Sequence, residues 1–165
     1  MSNAPLIIYY SRDGHSEKLA EDLATNMGAE LCQITTHKYA PSVFGWLAAG
    51  RDALLGRSPK VSGLDELPPE DRLIVLVGPV WAGRPAAPLN TVIRMLKPTK
   101  HRVAMALTCG DPKAKEAPLD MAEKMLGRAF VSRSVLCSAT ENWLLDSDHR
   151  RRFALDCNIG LEWQG

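Results

Sequence analysis

The stretch LIIYYSRDGHS, residues 6–16, decides the fold class of this chain. Its first five residues are apolar or aromatic without interruption, which predicts a strand that is covered on both faces, as in a parallel sheet. A polar loop follows, and from Ser16 the apolar residues recur at helical spacing until Gly28 supplies a stop signal. Residues 30–34 form a second run that predicts another strand. The order strand, loop, helix and strand is typical of a βαβ unit.

The same alternation continues along the rest of the chain. Strands are predicted at residues 73–77, 103–107 and 131–137, the last with the alternating pattern of an edge strand. Helices are predicted between them, two with a proline in the first turn, and a last helix has Ser147 as its N-cap. Five strands that alternate with helices predict a three-layer α/β fold, in which a five-stranded parallel sheet of order 2-1-3-4-5 carries helices on both faces.

Length and composition limit the class of protein. A chain of 165 residues, 45% hydrophobic and 24% charged, predicts a single globular domain that spans residues 1–165. A net charge of +1 argues against a nucleic-acid-binding protein, since such proteins usually carry a clear basic excess. The charge is uneven, with −3 over residues 1–82 and +4 over residues 83–165.

The cysteines and the apolar runs bear on the compartment. The four cysteines form no CxxC pair and no compact Cys/His cluster, so no metal site is predicted and the pattern suits a reducing cytoplasm. No basic segment precedes the first apolar run, as a secretory signal would require, and no run reaches the ~20 residues of a membrane span. We therefore expect a cytoplasmic protein without a membrane span.

One connection, between the second and third strands, is unusually long. It contains an amphipathic stretch at residues 43–55, which two glycines weaken as a helix. Phe44, Trp46 and Leu47 are more apolar than a lone surface helix requires, so we expect them to be buried. The simpler interpretation buries them against the sheet, and the alternative buries them in a homodimer interface.

Three loops are expected to form a ligand site. Ligands of open parallel sheets bind beyond the carboxyl ends of the strands, where the strand order reverses, and residues 11–16, 78–83 and 108–111 meet there. The first loop combines hydroxyls, a glycine and the N–H groups of a helix N-terminus, a pattern that binds phosphate. In the alternative interpretation, Ser11 and Ser16 only cap the helix.

The second and third loops favour a planar ligand. Trp81 follows the most apolar strand and lies between small residues, where it can stack on an aromatic ligand. Alternatively, it packs against a neighbouring loop or a second subunit. The third loop, Thr108-Cys109-Gly110-Asp111, offers small residues and backbone donors for the edge of a heterocycle, although an ordinary turn has the same composition.

The residues at these strand ends exclude other classes of protein that have a similar architecture. A response-regulator receiver needs an acidic residue at the end of the third strand, where this chain has Val77-Gly78-Pro79. A small tyrosine phosphatase needs a cysteine in the first loop, and a dinucleotide-binding Rossmann protein needs a GxGxxG motif. The sequence has neither. Its four histidines are scattered, and no spacing suggests a catalytic triad or paired carboxylates, so no catalytic residue is predicted.

Together the three loops resemble those of the flavodoxin family. YYSRDGHS, residues 9–16, is similar to the family's phosphate loop, Ser/Thr-x-Thr-Gly-x-Thr. GPVWAG, residues 78–83, resembles the loop whose aromatic residue covers the flavin, and TCGD, residues 108–111, matches the other flavin-flanking loop in place. Residues 38–59 further resemble an insertion found in one branch of flavodoxin-like proteins. The likeness extends to about residue 145.

The resemblance implies FMN as the cofactor, with its phosphate in the first loop, Trp81 on its ring and the third loop at the ring edge. The implied cofactor-binding residues are Ser11, Arg12, Asp13, Gly14, His15, Ser16, Pro79, Val80, Trp81, Ala82, Gly83, Thr108, Cys109, Gly110 and Asp111. Asp13 stands where the family has its middle threonine. A carboxylate there would repel the phosphate by about 1–4 kcal/mol at 4 Å and an effective dielectric of 80–20, unless Arg12, His15 or Arg84 offsets it or Asp13 turns outward.

The resemblance also implies a redox function. We expect an FMN-dependent oxidoreductase that takes electrons from NADH or NADPH and passes them to a quinone or another small acceptor. The chain lacks the strong acidic field that steers small flavodoxin carriers to their partners, and its second half is positive. The alternatives are a one-electron carrier of the flavodoxin type and a flavodoxin-shaped interaction module that has lost FMN.

Overall fold

A computed structural model describes residues 3–111, 113, 116–138 and 147–159 of the chain. Within these ranges the backbone forms strands and helices in the order β1 (Leu6–Tyr9), α1 (His15–Met27), β2 (Glu30–Gln33), α2 (Val43–Leu54), β3 (Ile74–Trp81), β4 (Arg84–Pro85), α3 (Ala87–Leu96), β5 (Val103–Cys109), α4 (Ala117–Leu126), β6 (Arg133–Cys137) and α5 (Ser147–Ile159).

The sheet has the predicted strand order. Its strands pair as β2-β1-β3-β5-β6, each pair parallel, which is the order 2-1-3-4-5 when the two-residue β4 is left out. In the register between β1 and β3, Tyr9 lies opposite Val77, and between β3 and β5, Pro79 lies opposite Thr108. These pairs bring the carboxyl ends of the three central strands to one edge of the sheet.

Helices cover both faces of the sheet, as predicted. Alternate residues of β1 point to opposite faces, so Ile8 packs in the cluster that contains α3 and α4. Ile7 packs in the other cluster, with Leu19 of α1 and Phe153 of α5. Ile7 and Ile8 are both fully buried, which explains why β1 is apolar without interruption. The chain therefore has the three-layer α/β architecture.

The third strand continues further than its apolar run predicts. β3 extends to Trp81 because the short β4 pairs antiparallel with its last two residues, Val80 opposite Pro85 and Trp81 opposite Arg84. Ala82 and Gly83 form the two-residue turn with φ values of 49° and 74°. Two successive positive φ values are the geometry that a tight hairpin requires, because their twist matches that of the strands. Residues 79–81 are thus strand and only the turn is loop.

The expectation that the large side chains of residues 43–55 are buried against the sheet is wrong. The segment does form a helix, α2, but Phe44, Trp46 and Leu47 are 83%, 65% and 57% exposed. The helix turns Gly45 inward, where an added Cβ would lie 2.0 Å from the carbonyl oxygen of Ala40. The chain before α2 passes so close to the helix that only small side chains fit on its inner side.

The last helix completes the face that α1 covers. Phe153 and Cys157 of α5 are buried, and Arg102 donates a hydrogen bond to the carbonyl oxygen of Cys157. Burial raises the pKa of the Cys157 thiol to about 12, so this cysteine is an unreactive packing residue. Ser147 begins α5, but its side chain, the predicted cap, lies outside the described residues. Among the helices described, none combines the length and apolarity that crossing a membrane requires.

Gly78 provides a test of the packing between β3 and α3. A Cβ at this position would lie 2.5 Å from Cδ1 of Leu89, which is fully buried. We expect Gly78→Ala to lower the free energy of unfolding by about 1–3 kcal/mol, because the buried leucine has no space to move into. Urea unfolding measures this change.

The matched control is Gly50→Ala. Gly50 lies inside α2, and an added Cβ there meets nothing within 4 Å. Because alanine is the better helix former, this variant should gain up to about 1 kcal/mol. Equal stability of the two variants would contradict the tight packing at Gly78.

Candidate functional site

A cavity of about 820 Å³ opens at the carboxyl edge of the sheet, where the three predicted loops meet. This size lies within the usual range of small-molecule sites. Its lining comprises Ser11, Arg12, Asp13, His15, Ser16, Trp46, Leu47, Ala49, Gly50, Arg51, Leu54, Pro79, Val80, Trp81, Ala82, Thr108, Gly110 and Ser138. Members of all three loops are therefore brought together, as the strand order requires.

Four predicted site residues do not line the cavity. They are Gly14, Gly83, Cys109 and Asp111. Gly14 has a φ of 84° and shapes the first loop, and Gly83 completes the hairpin turn. Cys109 alternates with Thr108 along β5, so its side chain points to the opposite face of the sheet. The amide of Asp111 donates to the sulfur of Cys109, so Asp111 lies in the loop that directly follows β5.

One wall of the cavity was not predicted from the sequence. Side chains of α2 form this wall, among them Trp46, Leu47 and Leu54, and Ser138 lies at the far end. The apolar residues of segment 43–55 indicated a buried or ligand-facing surface, but they were predicted to pack against the sheet or in a dimer interface. The pattern of one amphipathic helix does not state whether its apolar side chains contact protein or ligand.

The first loop leaves the amino end of α1 without a side-chain cap. The N-cap residue is Gly14, which has no side chain to accept a hydrogen bond, and the first helical bond runs from Lys18 N to Gly14 O. Ser11 Oγ accepts from Gly14 N at 3.1 Å, so it fixes the loop and does not cap the helix. The capping interpretation of Ser11 and Ser16 is therefore wrong, and the amino end of α1 faces the cavity edge as a site for negative charge.

A buried hydrogen bond joins the first and third loops. Ser16 Oγ lies 2.7 Å from Thr108 Oγ1, and both side chains are buried. The two residues are 92 positions apart in the sequence. Because each hydroxyl is out of water, losing either would leave the other unsatisfied. This bond sets the distance between the amino end of α1 and the end of β5.

Arg12 places a cation at the cavity. Its Nη2 donates a long hydrogen bond of 3.4 Å to the carbonyl oxygen of Ala40. Its Nη1 is buried and has no hydrogen-bond partner among the described residues. A buried guanidinium nitrogen without a partner is costly, and an anionic group in the cavity would satisfy it. Asp13 is exposed, so water screens its charge from this site.

Trp81 is held between two tyrosines. Its ring lies at right angles to the rings of Tyr10 and Tyr39, with centroid distances of 5.4 Å and 5.3 Å. Edge-to-face contacts of this kind are favourable and fix the orientation of the indole. Trp81 thus packs against neighbouring segments, as the alternative interpretation had it, and also contributes to the cavity lining. Its ring orientation is set by protein contacts.

A buried carboxylate anchors α2 to this aromatic group. Asp52 is fully buried, lies 2.6 Å from Lys38 Nζ and accepts a hydrogen bond of 2.9 Å from the Tyr39 hydroxyl. Arg51 and Arg57 lie 3.6 Å and 3.7 Å from its other oxygen. The same Tyr39 contacts Trp81, so the position of α2 and the orientation of the indole are linked.

The surroundings of Asp52 determine its protonation. Burial raises its pKa, but hydrogen bonds from Lys38 and Tyr39 and the charges of Lys38 and Arg57 outweigh burial and hold the pKa below the usual range. Burial and the hydrogen bond to Asp52 raise the pKa of the Tyr39 phenol. Asp52 is therefore ionised and Tyr39 neutral at pH 7. In the described part of the chain, no group of three or more His, Cys, Asp or Glu residues is arranged to hold a metal ion.

The sequence matches no protein-family model and no curated protein. The structure is similar to solved flavoproteins. A flavoprotein from Lactobacillus acidophilus NCFM, solved in complex with FMN, has a TM-score of 0.71 and 19% identity over 92% of this chain and 99% of its own. The Trp repressor binding protein from Bacillus subtilis has a TM-score of 0.53 and 12% identity, over 90% of this chain and 96% of its own. The TIGR4 flavodoxin of Streptococcus pneumoniae has a TM-score of 0.50 and 13% identity, over 94% of this chain and 98% of its own.

These similarities confirm the predicted fold. They extend over nearly the whole chain, at identities below 20%. The protein has a flavodoxin-like fold, and its cavity lies where the strand order of that fold reverses.

The charge of Asp52 is expected to stabilise the protein in a pH-dependent way. A carboxyl whose folded pKa is depressed stabilises the folded state above its unfolded pKa of about 3.9, and this contribution is lost as the pH falls through the folded pKa. Asp52→Asn should lower the free energy of unfolding by about 2 kcal/mol at pH 7, since hydrogen bonds to a charged group are lost. The difference from the natural protein should shrink at pH values below the folded pKa.

Urea unfolding across this pH range measures the effect, and Glu116→Gln is the control. Glu116 forms an ion pair of 2.9 Å with Arg133, but its side chain is 67% exposed. An exposed pair of this kind contributes less than about 1 kcal/mol. A pH-independent effect of Asp52→Asn would show that its carboxylate charge has no part in stability.

Proposed function

We propose that the protein binds FMN in this cavity and is an FMN-dependent oxidoreductase. The observation that carries the proposal is the buried Nη1 of Arg12, which has no hydrogen-bond partner in the described part of the chain and lies beside the uncapped amino end of α1. Both features favour an anionic group at this end of the cavity. The fold similarity to a flavoprotein solved with FMN supports the same assignment.

The residues of the first loop suit the phosphate of FMN. Ser11 Oγ accepts a hydrogen bond from Gly14 N, so its own proton remains available to an anion. Arg12 would supply charge and α1 its amino end. The exposed carboxylate of Asp13 would weaken the site, but it lies in water, where its repulsion is at the low end of the range.

The remaining walls suit the flavin ring. Trp81, Val80 and Pro79 form one side of the cavity, and Thr108 and Gly110 form the edge beside β5. Trp46 and Leu54 of α2 supply further apolar surface that excludes water. When bound, FMN would supply the hydride and electron chemistry that no side chain here provides.

The proposed electron donor follows from the charge around the cavity, and the proposed electron acceptor follows from the apolar wall of the cavity. The side chain of Arg51 is 61% exposed and lines the cavity, and Arg84 follows the hairpin turn. Cations at a cavity mouth attract anionic ligands, and NADH and NADPH are anions. A quinone fits the apolar wall of α2. We therefore propose that the enzyme passes electrons from NADH or NADPH to a quinone or a similar small acceptor.

FMN titration tests the cofactor assignment. The purified protein should quench flavin fluorescence at one equivalent, and Arg12→Gln should weaken binding at least tenfold because a charge-assisted contact is lost. Trp81→Ala should cost about 1–3 kcal/mol of binding, by analogy with base–aromatic stacking. Asp13→Thr should tighten binding.

The control for this titration is Arg151→Gln, which removes an exposed cation on α5 and should leave FMN affinity unchanged. If neither the natural protein nor Asp13→Thr takes up FMN, the cofactor assignment is wrong. The flavodoxin-shaped interaction module would then be the better description.

Steady-state kinetics test the reaction. Without oxygen, FMN-loaded protein should oxidise more than one equivalent of NADH or NADPH only when a quinone is present as the final electron acceptor, and Arg51→Gln should raise the KM for the nicotinamide more than it lowers kcat. High salt should have the same effect on the KM of the natural protein. FMN uptake without any nicotinamide oxidation would favour the one-electron carrier instead.

A further inference from the structure

α2 presents large apolar side chains outward and small ones inward, the reverse of an ordinary surface helix. Its inner face consists of Gly45, Ala49, Asp52 and Ala53, all buried. We define the outer face of α2 by its exposed large residues and the leucine that follows. These are Val43, Phe44, Trp46, Leu47, Leu54 and Leu55, with exposed fractions between 53% and 83%. Contiguous apolar surface of this kind marks an interaction site.

The segment that carries the outer face of α2 is basic. Residues 31–60 contain four cations and one anion, a net charge of +3 in a chain whose total is +1. The anion, Asp52, is fully buried, whereas the side chains of Lys38, Arg51 and Arg57 are 41%, 61% and 51% exposed. Lys60 is exposed as well. The segment therefore combines an exposed apolar helix face with a net positive charge.

This charge disfavours a second copy of the chain as the partner. In a two-fold symmetric dimer the same surface patch of both subunits meets itself. The outer face of α2 would bring two segments of charge +3 together, and like charges across an interface are unfavourable. An anionic partner has the complementary charge.

We propose that the outer face of α2 docks on the surface of an anionic lipid bilayer. Tryptophan, phenylalanine and leucine on one face of a helix, with lysine and arginine around it, are the composition of interfacial membrane helices. The apolar side chains would enter the headgroup and acyl boundary, while the net positive charge of the segment, to which the exposed Lys60 contributes, would attract the anionic headgroups.

Docking in this way would turn the cavity toward the bilayer. Trp46, Leu47 and Leu54 belong both to the outer face of α2 and to the cavity wall. A lipid-soluble quinone would then reach the cavity from the acyl region without crossing water. This consequence rests on the proposed function, whereas the docking itself does not.

Vesicle binding tests the docking. The full chain is mixed with phosphatidylcholine vesicles that contain or lack phosphatidylglycerol, and the bound fraction is measured by sedimentation. The protein should bind the anionic vesicles at least tenfold more tightly than the neutral ones, and high salt should reduce the difference. The fluorescence of Trp46, obtained as the difference from Trp46→Phe, should shift to the blue on binding.

Two variants separate the apolar and the electrostatic contributions. Phe44→Ser should weaken binding about tenfold, since Phe44 is exposed and lies outside the cavity lining. Lys60→Gln should weaken binding to anionic vesicles about fivefold, the factor expected for one cation near an anionic surface. Leu155→Ser is the matched control, because Leu155 is 52% exposed on α5 and should have no effect.

The proposal is overturned if the protein binds neither vesicle type, or if it binds both types equally well. It is also overturned if Leu155→Ser weakens vesicle binding as much as Phe44→Ser does. Light scattering would identify a second copy as the occupant if the protein is a dimer that Phe44→Ser dissociates. Because vesicle binding is measured with and without added FMN, loss of FMN affinity and loss of docking are separate outcomes.

Discussion

The parallel pairing of β1 with β3 is the constraint on which the rest of the structure depends. It inserts the first strand between the second and the third, so the connection after β1 passes to one face of the sheet and the connection after β3 to the other. The gap between those connections is where a cavity forms. The register then fixes its details, because Tyr9, the last residue of β1, lies opposite Val77, and β3 continues beyond this point to Trp81. The hydrogen bond between Ser16 and Thr108 joins the start of α1 to the end of β5 beside this cavity.

Polar contacts hold α2 against the rest of the protein more than the burial of apolar side chains does. Its inner face contributes two alanines and a glycine, whose transfer from water stabilises little. Asp52 gathers Lys38, Arg51 and Arg57 around one buried carboxylate and binds Tyr39 directly. Through Tyr39 this charge cluster also orients Trp81. Asp52 thus links α2, which forms one wall of the cavity, to the side chain of Trp81.

Most of the fold could be predicted from local patterns, because apolar runs and helical periods depend on neighbours in sequence. The strand order and most of the residues of the three loops at the cavity followed from that alternation. The position of α2 could not be predicted in this way, since an amphipathic pattern does not say which side faces the protein. The small residues Gly45, Ala49 and Ala53, four apart, carried that information, but the sequence interpretation considered only the two glycines, Gly45 and Gly50, as residues that weaken a helix. The contact between Ser16 and Thr108 and the partners of Asp52 depend on tertiary structure, and no local pattern encodes them.

The small inner face of α2 has a consequence for how the protein opens. Segments that bury little apolar surface unfold locally at a fraction of the global free energy, while the central strands exchange their amide protons only on complete unfolding. The amides of α2 are therefore expected to exchange at a lower free energy than those of β1, β3 and β5. The wall of the cavity thus opens more readily than the sheet on which it lies.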